Sequence, residues 1–331
     1  MFGERELQAV WYGGRTPPLA LRALSVLFGA LSDLRRRLYA TGLLPGVRLP
    51  VPVVVVGNIT AGGTGKTPLT IALVEALRER GFKPGVVSRG YGGSAREPLL
   101  LDARTAPAIA GDEACLIRRV TNAPVAVGRD RAAAARLLLA PGDADVIVAD
   151  DGLQHYRLHR DVEICVIDGE RRFGNGRLLP AGPLREPLAR LASLGFRVCN
   201  GGAPHAGEVA MRLAGDSAVS LSDPSQRRAL RDFASLRVHA VAGIGNPLRF
   251  FAQLRALGIE VVEHPFPDHH AFAAADLGFG DDAPVLMTEK DAVKCAAFAL
   301  AGWWSVPVRA ELPTAFFDAV AARVAQAQRP G

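Results

Sequence analysis

The chain has 331 residues, of which 49% are apolar, so we expect a large core in two domains and exclude an intrinsically disordered chain. Four cysteines stand singly without C-x-x-C spacing, which argues against a zinc site or a disulfide framework and indicates a reducing compartment. The net charge of +6 would suit nucleic acid, an anionic membrane surface or a phosphorylated substrate, and charge alone does not choose among them.

The first predicted element is an amphipathic helix over residues 18–39, which ends in a basic run at residues 35–37. Its apolar stripe repeats at helical spacing and consists of Ala20, Leu24, Leu27, Leu31, Leu34 and Leu38. Arg22 and Asp33 interrupt the stripe before the roughly twenty apolar residues that a membrane span needs, and the acidic start is unlike a secretory signal. Such a helix either lies on an anionic membrane surface or packs on the protein's own core, and the pattern leaves both open.

A phosphate-binding loop follows the apolar strand predicted at residues 53–56. The loop consists of Thr60, Ala61, Gly62, Gly63, Thr64, Gly65, Lys66 and Thr67. Glycines let successive backbone N–H groups face a polyphosphate, while Lys66 reaches the outer phosphates and the Thr67 hydroxyl can hold Mg²⁺. The helical pattern after Thr67 favours this interpretation over a plain glycine-rich turn, although Thr60 stands where the general motif has glycine.

Beyond the loop, short apolar runs alternate with helical patterns, which predicts an α/β fold with a mainly parallel, P-loop NTPase-like sheet flanked by helices. Further strands of this sheet are predicted at residues 85–88, 124–127, 146–149 and 162–167, and helices after Thr67, at 112–120 and at 130–139. A second, smaller α/β domain is predicted from strands at 238–242, 259–263 and 284–288 and a helix at 247–257.

The predicted organisation has four segments. They are an N-terminal helical segment at the membrane interface (1–45), the P-loop core (46–200), the smaller α/β domain (201–310) and a C-terminal helix that could pack on either domain (311–331). The glycine-rich stretch 200–204 is the best candidate for the linker between the domains. The turn at 243–245 lacks the third glycine of a dinucleotide motif, so we interpret it as an ordinary strand-to-helix turn.

Two adjacent carboxylates, Asp150 and Asp151, directly follow the strand predicted at residues 146–149. A carboxylate at the end of a strand beside a phosphate loop is where Mg²⁺ is held, which predicts a Walker-B-type site. A turn aspartate after a strand is the alternative. Gln154 follows closely and could position these carboxylates or the nucleotide.

Other candidates have two readings each. Asp112 and Glu113 stand at a predicted helix start, where acidic residues are favoured without any function. Arg131 could neutralise a transferring phosphate or could be solvated. The pair His269-His270 suggests a metal, but no Cys or further His lies at ligand spacing, so His269 fits better as an acid/base or orienting partner of a carboxylate.

Together these residues resemble the tetraacyldisaccharide 4'-kinase family of lipid A assembly, over nearly the whole chain. The resemblance rests on seven ordered blocks, at residues 56–68, 88–92, 111–113, 150–155, 179–186, 268–270 and 288–291. Seven blocks in order are more specific than one phosphate loop. Thr60, irregular against the general motif, is what this family looks like.

The resemblance implies transfer of the γ-phosphate of ATP to the 4'-hydroxyl of a tetraacylated glucosamine disaccharide 1-phosphate, giving lipid IVA at the cytoplasmic face of the inner membrane. It makes Asp112 the base and His269 its partner, with Lys66 neutralising charge. It gives Mg²⁺ to Thr67, Asp150 and Asp151. The further candidate substrate-binding residues are Arg89, Tyr91, Glu113, Arg131, Gln154 and Arg185. Neither nucleic acid nor an obligate protein partner is expected.

The four acyl chains of such an acceptor also favour the membrane-surface interpretation of the N-terminal helix. A rival from another class is a P-loop ATPase switch or metallochaperone-type regulator at the membrane. Proteins of that class often carry a lysine before the two loop glycines, where this chain has Ala61. A nucleotide-binding scaffold without catalysis would not explain both Asp112 and His269.

Overall fold

The computed structural model describes residues 4–328, so residues 1–3 and 329–331 of the two predicted terminal segments lie outside the described residues. The helices of this range are α1 (Glu4–Trp11), α2 (Leu19–Ala40), α3 (Lys66–Glu79), α4 (Pro107–Ala110), α5 (Asp112–Thr121), α6 (Arg131–Leu139), α7 (Pro247–Ala256), α8 (Glu289–Cys295) and α9 (Thr314–Ala327). The strands are β1 (Val53–Gly57), β2 (Pro84–Ser88), β3 (Leu99–Leu100), β4 (Val125–Val127), β5 (Val146–Ala149), β6 (Val162–Asp168), β7 (Phe196–Asn200), β8 (Val209–Ala214), β9 (Ser217–Ser220), β10 (Arg227–Ala229), β11 (Arg237–Ala242), β12 (Glu260–Pro265), β13 (Val285–Thr288), β14 (Trp303–Val306) and β15 (Arg309–Glu311).

The larger sheet has the strand order β15-β8-β7-β6-β1-β5-β2-β4-β3. Its central strands are parallel, and Val54 of β1 pairs with Val148 on one side and Val162 on the other. β1 is buried along its whole length, as its continuous valine run predicts for a parallel strand covered on both faces. One core packs between the sheet and α3, α5 and α9, and the other packs against α6.

The smaller sheet has the order β10-β9-β14-β13-β11-β12. β11, β12, β13 and β14 pair in parallel, while β9 and β10 are joined antiparallel at one edge. Its core is built around the fully buried side chains Phe233, Phe251 and Leu254. The predicted α/β class, with a P-loop-like parallel sheet and a second, smaller α/β domain, is confirmed.

The chain passes between the two sheets at other residues than the expected domain boundaries. β8 pairs in parallel with β7, and β15 pairs antiparallel with β8, so both strands extend the larger sheet although β8 lies in the expected range 201–310 and β15 begins in it. The chain therefore leaves the larger sheet after Ala214 and returns at Arg309. Helix α9 packs on the larger sheet through Phe316, Val320 and Val324.

Helix α2 lies on the larger domain with its leucine stripe facing outward. Leu21 and Ser25 are buried against the protein, and the Ser25 hydroxyl donates a hydrogen bond to the Leu178 carbonyl oxygen at 2.8 Å. The opposite side carries four leucines that are each more than half exposed, Leu24, Leu27, Leu31 and Leu34. Among residues 4–328, no helix has the length and apolarity needed to cross a membrane.

Candidate active site

The phosphate loop joins the carboxyl end of β1 to the first turn of α3, the position where open α/β sheets bind ligands. Gly62 and Gly65 have φ angles of 102° and 92°, which favour glycine. The Asn200 side chain, at the end of β7, donates from Nδ2 to the Thr64 carbonyl oxygen at 2.9 Å and so fixes the loop from the neighbouring strand. Thr60 is buried and forms an antiparallel bridge with Leu184, an extended conformation that does not need glycine.

Asp151 lies beneath the loop among three cations. Lys66 Nζ is 3.6 Å from its Oδ1, and Arg185 Nη1 is 3.4 Å from its Oδ2. The buried Arg131 guanidinium donates to the Asp151 backbone carbonyl oxygen at 2.8 Å. Burial alone would raise the pKa of Asp151, but Lys66, Arg185 and Arg131 outweigh it and lower the pKa to about 2. The Asp151 carboxylate is therefore ionised and already paired with positive charge.

Asp150 has the opposite environment. It is fully buried, and its Oδ1 accepts a hydrogen bond from the Thr70 hydroxyl at 3.0 Å. Its Oδ2 has no hydrogen-bond partner among the described residues. Burial, together with the negative charges of Glu113 and Asp151, raises the pKa of Asp150 to about 7. A buried carboxylate in this state favours a positively charged partner.

This donor set fits Mg²⁺. The ion prefers oxygen ligands, keeps several waters, and is usually held by one or two carboxylates together with substrate phosphates. Asp150 Oδ2 and the Thr67 hydroxyl at the start of α3 are oxygen donors of that kind. No cluster of three or more His, Cys, Asp or Glu side chains able to hold a metal occurs within residues 4–328.

Asp112 and His269 meet although 157 residues separate them in the chain. Asp112 starts α5 and is buried, and His269 Nδ1 lies 3.1 Å from both of its carboxylate oxygens. The Tyr91 ring lies 4.6 Å from the imidazole, between ring centroids. Burial would raise the pKa of Asp112, but the hydrogen bond from His269 and the charge of Lys290 outweigh it and lower the pKa. The helix-start position of Asp112 thus coexists with a contact that a cap would not need.

A cavity of about 590 Å³ lies between the two domains. The predicted site residues that line it are residues 62–67, Tyr91, Glu113, Asp151, Arg185 and His269. One cavity therefore brings together the phosphate loop, one of the two strand-end carboxylates and the histidine of the smaller domain.

Other predicted residues lie behind this wall. Asp112 and Asp150 are buried beneath it, and Arg131 is engaged with the Asp151 backbone. Gln154 donates from Nε2 to the Asn58 carbonyl oxygen at 2.9 Å and to Glu186 Oε1 at 2.7 Å, so it supports the strand that feeds the loop. Arg89 is exposed and is not part of the cavity wall. Thr60 and Ala61 precede the part of the loop that lines the cavity.

Sequence reasoning missed the contacts that join the two domains at the phosphate loop. Arg171 donates from Nη2 to the Gly63 carbonyl oxygen at 2.6 Å and from Nη1 to the Gly245 carbonyl oxygen at 3.3 Å. Asp168 orients the guanidinium through Nε at 2.9 Å. A Cβ at Gly245 would lie 2.7 Å from the Gly63 nitrogen, so the turn at 243–245 approaches the loop more closely than any side chain would allow. The sequence signal for this approach was the pair Gly243 and Gly245, which we interpreted as an ordinary strand-to-helix turn.

The chain is similar to known proteins over most of its length. A family model described as tetraacyldisaccharide-1-P 4'-kinase matches residues 18–325. A protein named tetraacyldisaccharide 4'-kinase from Stenotrophomonas maltophilia is 55% identical over 324 residues, covering 95% of each chain. One of the same name from Methylobacillus flagellatus is 50% identical over 321 residues, covering 97% of this chain and 96% of that one.

A solved structure is similar as well. The crystal structure of LpxK from Aquifex aeolicus, in complex with ATP, matches with a TM-score of 0.77 and 26% sequence identity, over 94% of this chain and 99% of that chain. The family indicated by the seven sequence blocks is confirmed, and the switch or metallochaperone alternative is not favoured. The chain belongs to the tetraacyldisaccharide-1-P 4'-kinase family.

Proposed function

We propose that this enzyme transfers the γ-phosphate of ATP to the 4'-hydroxyl of a tetraacylated glucosamine disaccharide 1-phosphate, giving lipid IVA. The observation that carries the proposal is the contact between Asp112 of the larger domain and His269 of the smaller domain, beside the phosphate loop. A nucleotide switch needs the loop but not this pair. An alcohol acceptor needs a group that can accept its proton, and a carboxylate oriented by a histidine is suited to that.

On the donor side, residues 62–67 bind the phosphates of ATP through backbone N–H groups at the start of α3. Lys66 and Arg185 contribute positive charge. Both side chains are paired with Asp151, and a triphosphate in the cavity would compete with Asp151 for them. The ATP complex of the similar Aquifex aeolicus structure supports the choice of nucleotide. Phosphoryl transfer depends mainly on such positioning and charge neutralisation.

We assign Mg²⁺ to Thr67, Asp150 and Asp151. When bound there, Mg²⁺ would neutralise charge on the transferring phosphate. Asp150 offers an oxygen that has no hydrogen-bond partner within residues 4–328, and Asp151 neighbours it and is paired with Lys66. Thr70 fixes the Asp150 carboxylate from the other side by donating to Oδ1.

On the acceptor side, His269 donates from Nδ1 to Asp112 and orients its carboxylate. As the sugar oxygen bonds to the γ-phosphorus and the bond to the ADP oxygen breaks, the hydroxyl proton passes to Asp112. A carboxylate with a lowered pKa is a weak base, and this suffices because a loose transition state demands little proton abstraction before bond formation. Tyr91 and Glu113 line the cavity and would contact the sugar.

Because the acceptor carries four acyl chains, we propose that the reaction takes place at a membrane, on the cytoplasmic face of the inner membrane, with the enzyme bound peripherally. Each methylene exposed to water costs about 0.8 kcal/mol, so a single twelve-carbon chain would cost on the order of 9 kcal/mol to lift out of lipid. The exposed leucines of α2 support this placement, because they point away from the protein's own core. The basic end of the helix, residues 35–37, would lie at anionic headgroups.

Transfer is tested by incubating the enzyme with γ-labelled ATP, Mg²⁺ and the disaccharide 1-phosphate. We expect label in the lipid product, and no labelled lipid when the acceptor already carries a 4'-phosphate. Label found only in free phosphate would contradict the proposal and would support an ATPase switch.

The membrane proposal predicts that replacing Leu24, Leu27 and Leu31 with glutamate releases the protein from vesicles that contain anionic lipid. Three exposed apolar side chains would be lost from the interface and three negative charges would face the headgroups. The measurement is cosedimentation with vesicles, with ATP binding measured in parallel and expected to stay unchanged.

A matched control places the same three charges on another exposed helical face, by replacing Ala315, Ala319 and Ala322 of α9 with glutamate. This control should sediment with vesicles almost as the unaltered protein does. Equal sedimentation of the α2 variant and the unaltered protein would show that α2 is not the membrane-binding element.

A further inference from the structure

One lysine of the smaller domain is surrounded by carboxylates from both domains. Lys290, in the first turn of α8, has its Nζ 3.1 Å from Glu113 Oε1, 3.1 Å from Asp268 Oδ1 and 3.9 Å from Asp112 Oδ2. Its side chain is mostly buried. These acidic neighbours outweigh burial and raise the pKa of Lys290, so it is charged throughout the working pH range.

The three contacts have different consequences. The contact with Asp268 lies within the smaller domain and holds the loop that presents His269, whose backbone N–H also donates to Asp268 at 3.0 Å. The contact with Glu113 crosses to α5 of the larger domain. The approach to Asp112 puts a fixed positive charge beside the base. A single side chain thus ties the position of His269 to the charge on Asp112.

We propose that Lys290 is a positioning residue for the transfer reaction, which holds the His269 loop against α5 and keeps Asp112 ionised as long as the two domains are in contact. The inference rests on the proposed function and adds to it a link between domain contact and the state of the base. If the domains separate, Asp112 loses His269 and Lys290 together, and with them the two leading influences that lower its pKa.

Asp112 has other ionisable neighbours, and they bound the effect of Lys290. Lys294 Nζ lies 3.7 Å from Asp112 Oδ2 but is paired at 2.7 Å with Asp291, so it is the weaker partner. The groups that face or neighbour Asp112 are Asp268 and His269 from the loop, Lys290 and Lys294 from α8, and Glu113 and Cys115 on α5. Burial raises the pKa of the Cys115 thiol to about 11, so it stays neutral.

The test is the pH dependence of kcat/KM for lipid phosphorylation, expressed as the ratio of variant to unaltered enzyme so that titration of the substrates cancels. For Lys290→Met, the ratio should fall as the pH is lowered from 8 to 5, because losing the positive charge raises the pKa of Asp112 and moves its protonation to higher pH. The fall approaches about tenfold for each unit of that upward shift once the pH is below both pKa values. Lys290→Arg keeps the charge and should restore a flat ratio.

Two further variants separate charge from structure. Asp268→Asn removes one charge partner of Lys290 but leaves Lys290 beside Asp112, so its ratio should fall less steeply towards acidic pH than that of Lys290→Met. Lys83→Met removes an exposed lysine just before β2, at the amino ends of the parallel strands and so on the side of the sheet away from the site. This variant should match the unaltered enzyme. Thermal melting of each variant shows whether it is folded.

A flat pH ratio for folded Lys290→Met, or failure of Lys290→Arg to restore a flat ratio, would overturn the inference. If Lys290→Met does not fold, Lys290→Gln replaces it with the same expected ratio. An unaltered enzyme that transfers no phosphate to the disaccharide would refute the proposed function instead.

Discussion

Replacing Asp112 with asparagine is expected to lower kcat for lipid phosphorylation by about 10²–10⁴-fold. The amide keeps the size of the side chain but can no longer accept the hydroxyl proton, and it is no longer charge-paired with His269 Nδ1. Nucleotide affinity should stay within about twofold, since Asp112 lies behind the cavity wall rather than at the phosphate loop. The measurements are single-turnover transfer of labelled phosphate and equilibrium binding of ATP.

The control is Asp102→Asn, an exposed aspartate of the same domain that hydrogen-bonds only to its own turn among the described residues. It should leave both transfer and binding unchanged. Near-normal turnover of Asp112→Asn would remove Asp112 as the base. A large fall in ATP affinity would show that the substitution disturbs the loop instead.

Replacing Asp150 with asparagine is expected to abolish most of the transfer activity and, in the absence of nucleotide and metal, to stabilise the protein at alkaline pH. The pKa of Asp150 is raised to about 7 in the folded protein, so the folded state holds a proton that the unfolded chain releases near pH 4. Stability from this group is complete below pH 4 and is lost as the pH rises to 7. Removing the charge should therefore gain about 2–4 kcal/mol at pH 8 and much less at pH 5.

The neighbouring carboxylate provides the matched comparison. The pKa of Asp151 is lowered to about 2 because Lys66, Arg185 and Arg131 outweigh its burial, so its stabilising contribution is present above pH 4 and is lost as the pH falls towards 2. Asp151→Asn should therefore lower the unfolding temperature at pH 8, and the φ of 47° at this residue tolerates asparagine. Thermal unfolding of both variants at pH 5 and pH 8 checks the pair; a loss of stability in Asp150→Asn at pH 8 would contradict it.

The parts of the fold that depend on local patterns could be predicted from the sequence. The buried valine run of β1, the glycines of the loop and the helix after Lys66 follow from spacing and residue type over a few positions. Short strands such as β8 and β15 could not be predicted, because their pairing joins segments about 100 residues apart and their faces are only partly apolar. For this reason the observed boundaries between the two sheets differ from the predicted domain ranges.

The candidate site shows the same division. Lys66 and Asp151 lie where motif spacing puts them, at the carboxyl ends of adjacent strands. The pairing of Asp112 with His269 depends on how two domains meet, and no local pattern contains that information; the resemblance to a family supplied it. Arg171 could not be predicted because its side chain contacts backbone oxygens, which every residue has. Gly245 could not be predicted because its role depends on having no side chain.

The close approach of Gly245 to Gly63 means that the two domains can meet in this arrangement only if residue 245 has no side chain. A methyl group at Gly245 would lie 2.7 Å from the Gly63 nitrogen, which is too close, and neither backbone segment can move as easily as a flexible side chain could. Such a group would keep the two domains apart without altering any side chain that contacts phosphate or sugar. The turn at 243–245 thus offers a handle for trapping the open enzyme, with its phosphate loop intact and its histidine withdrawn from Asp112.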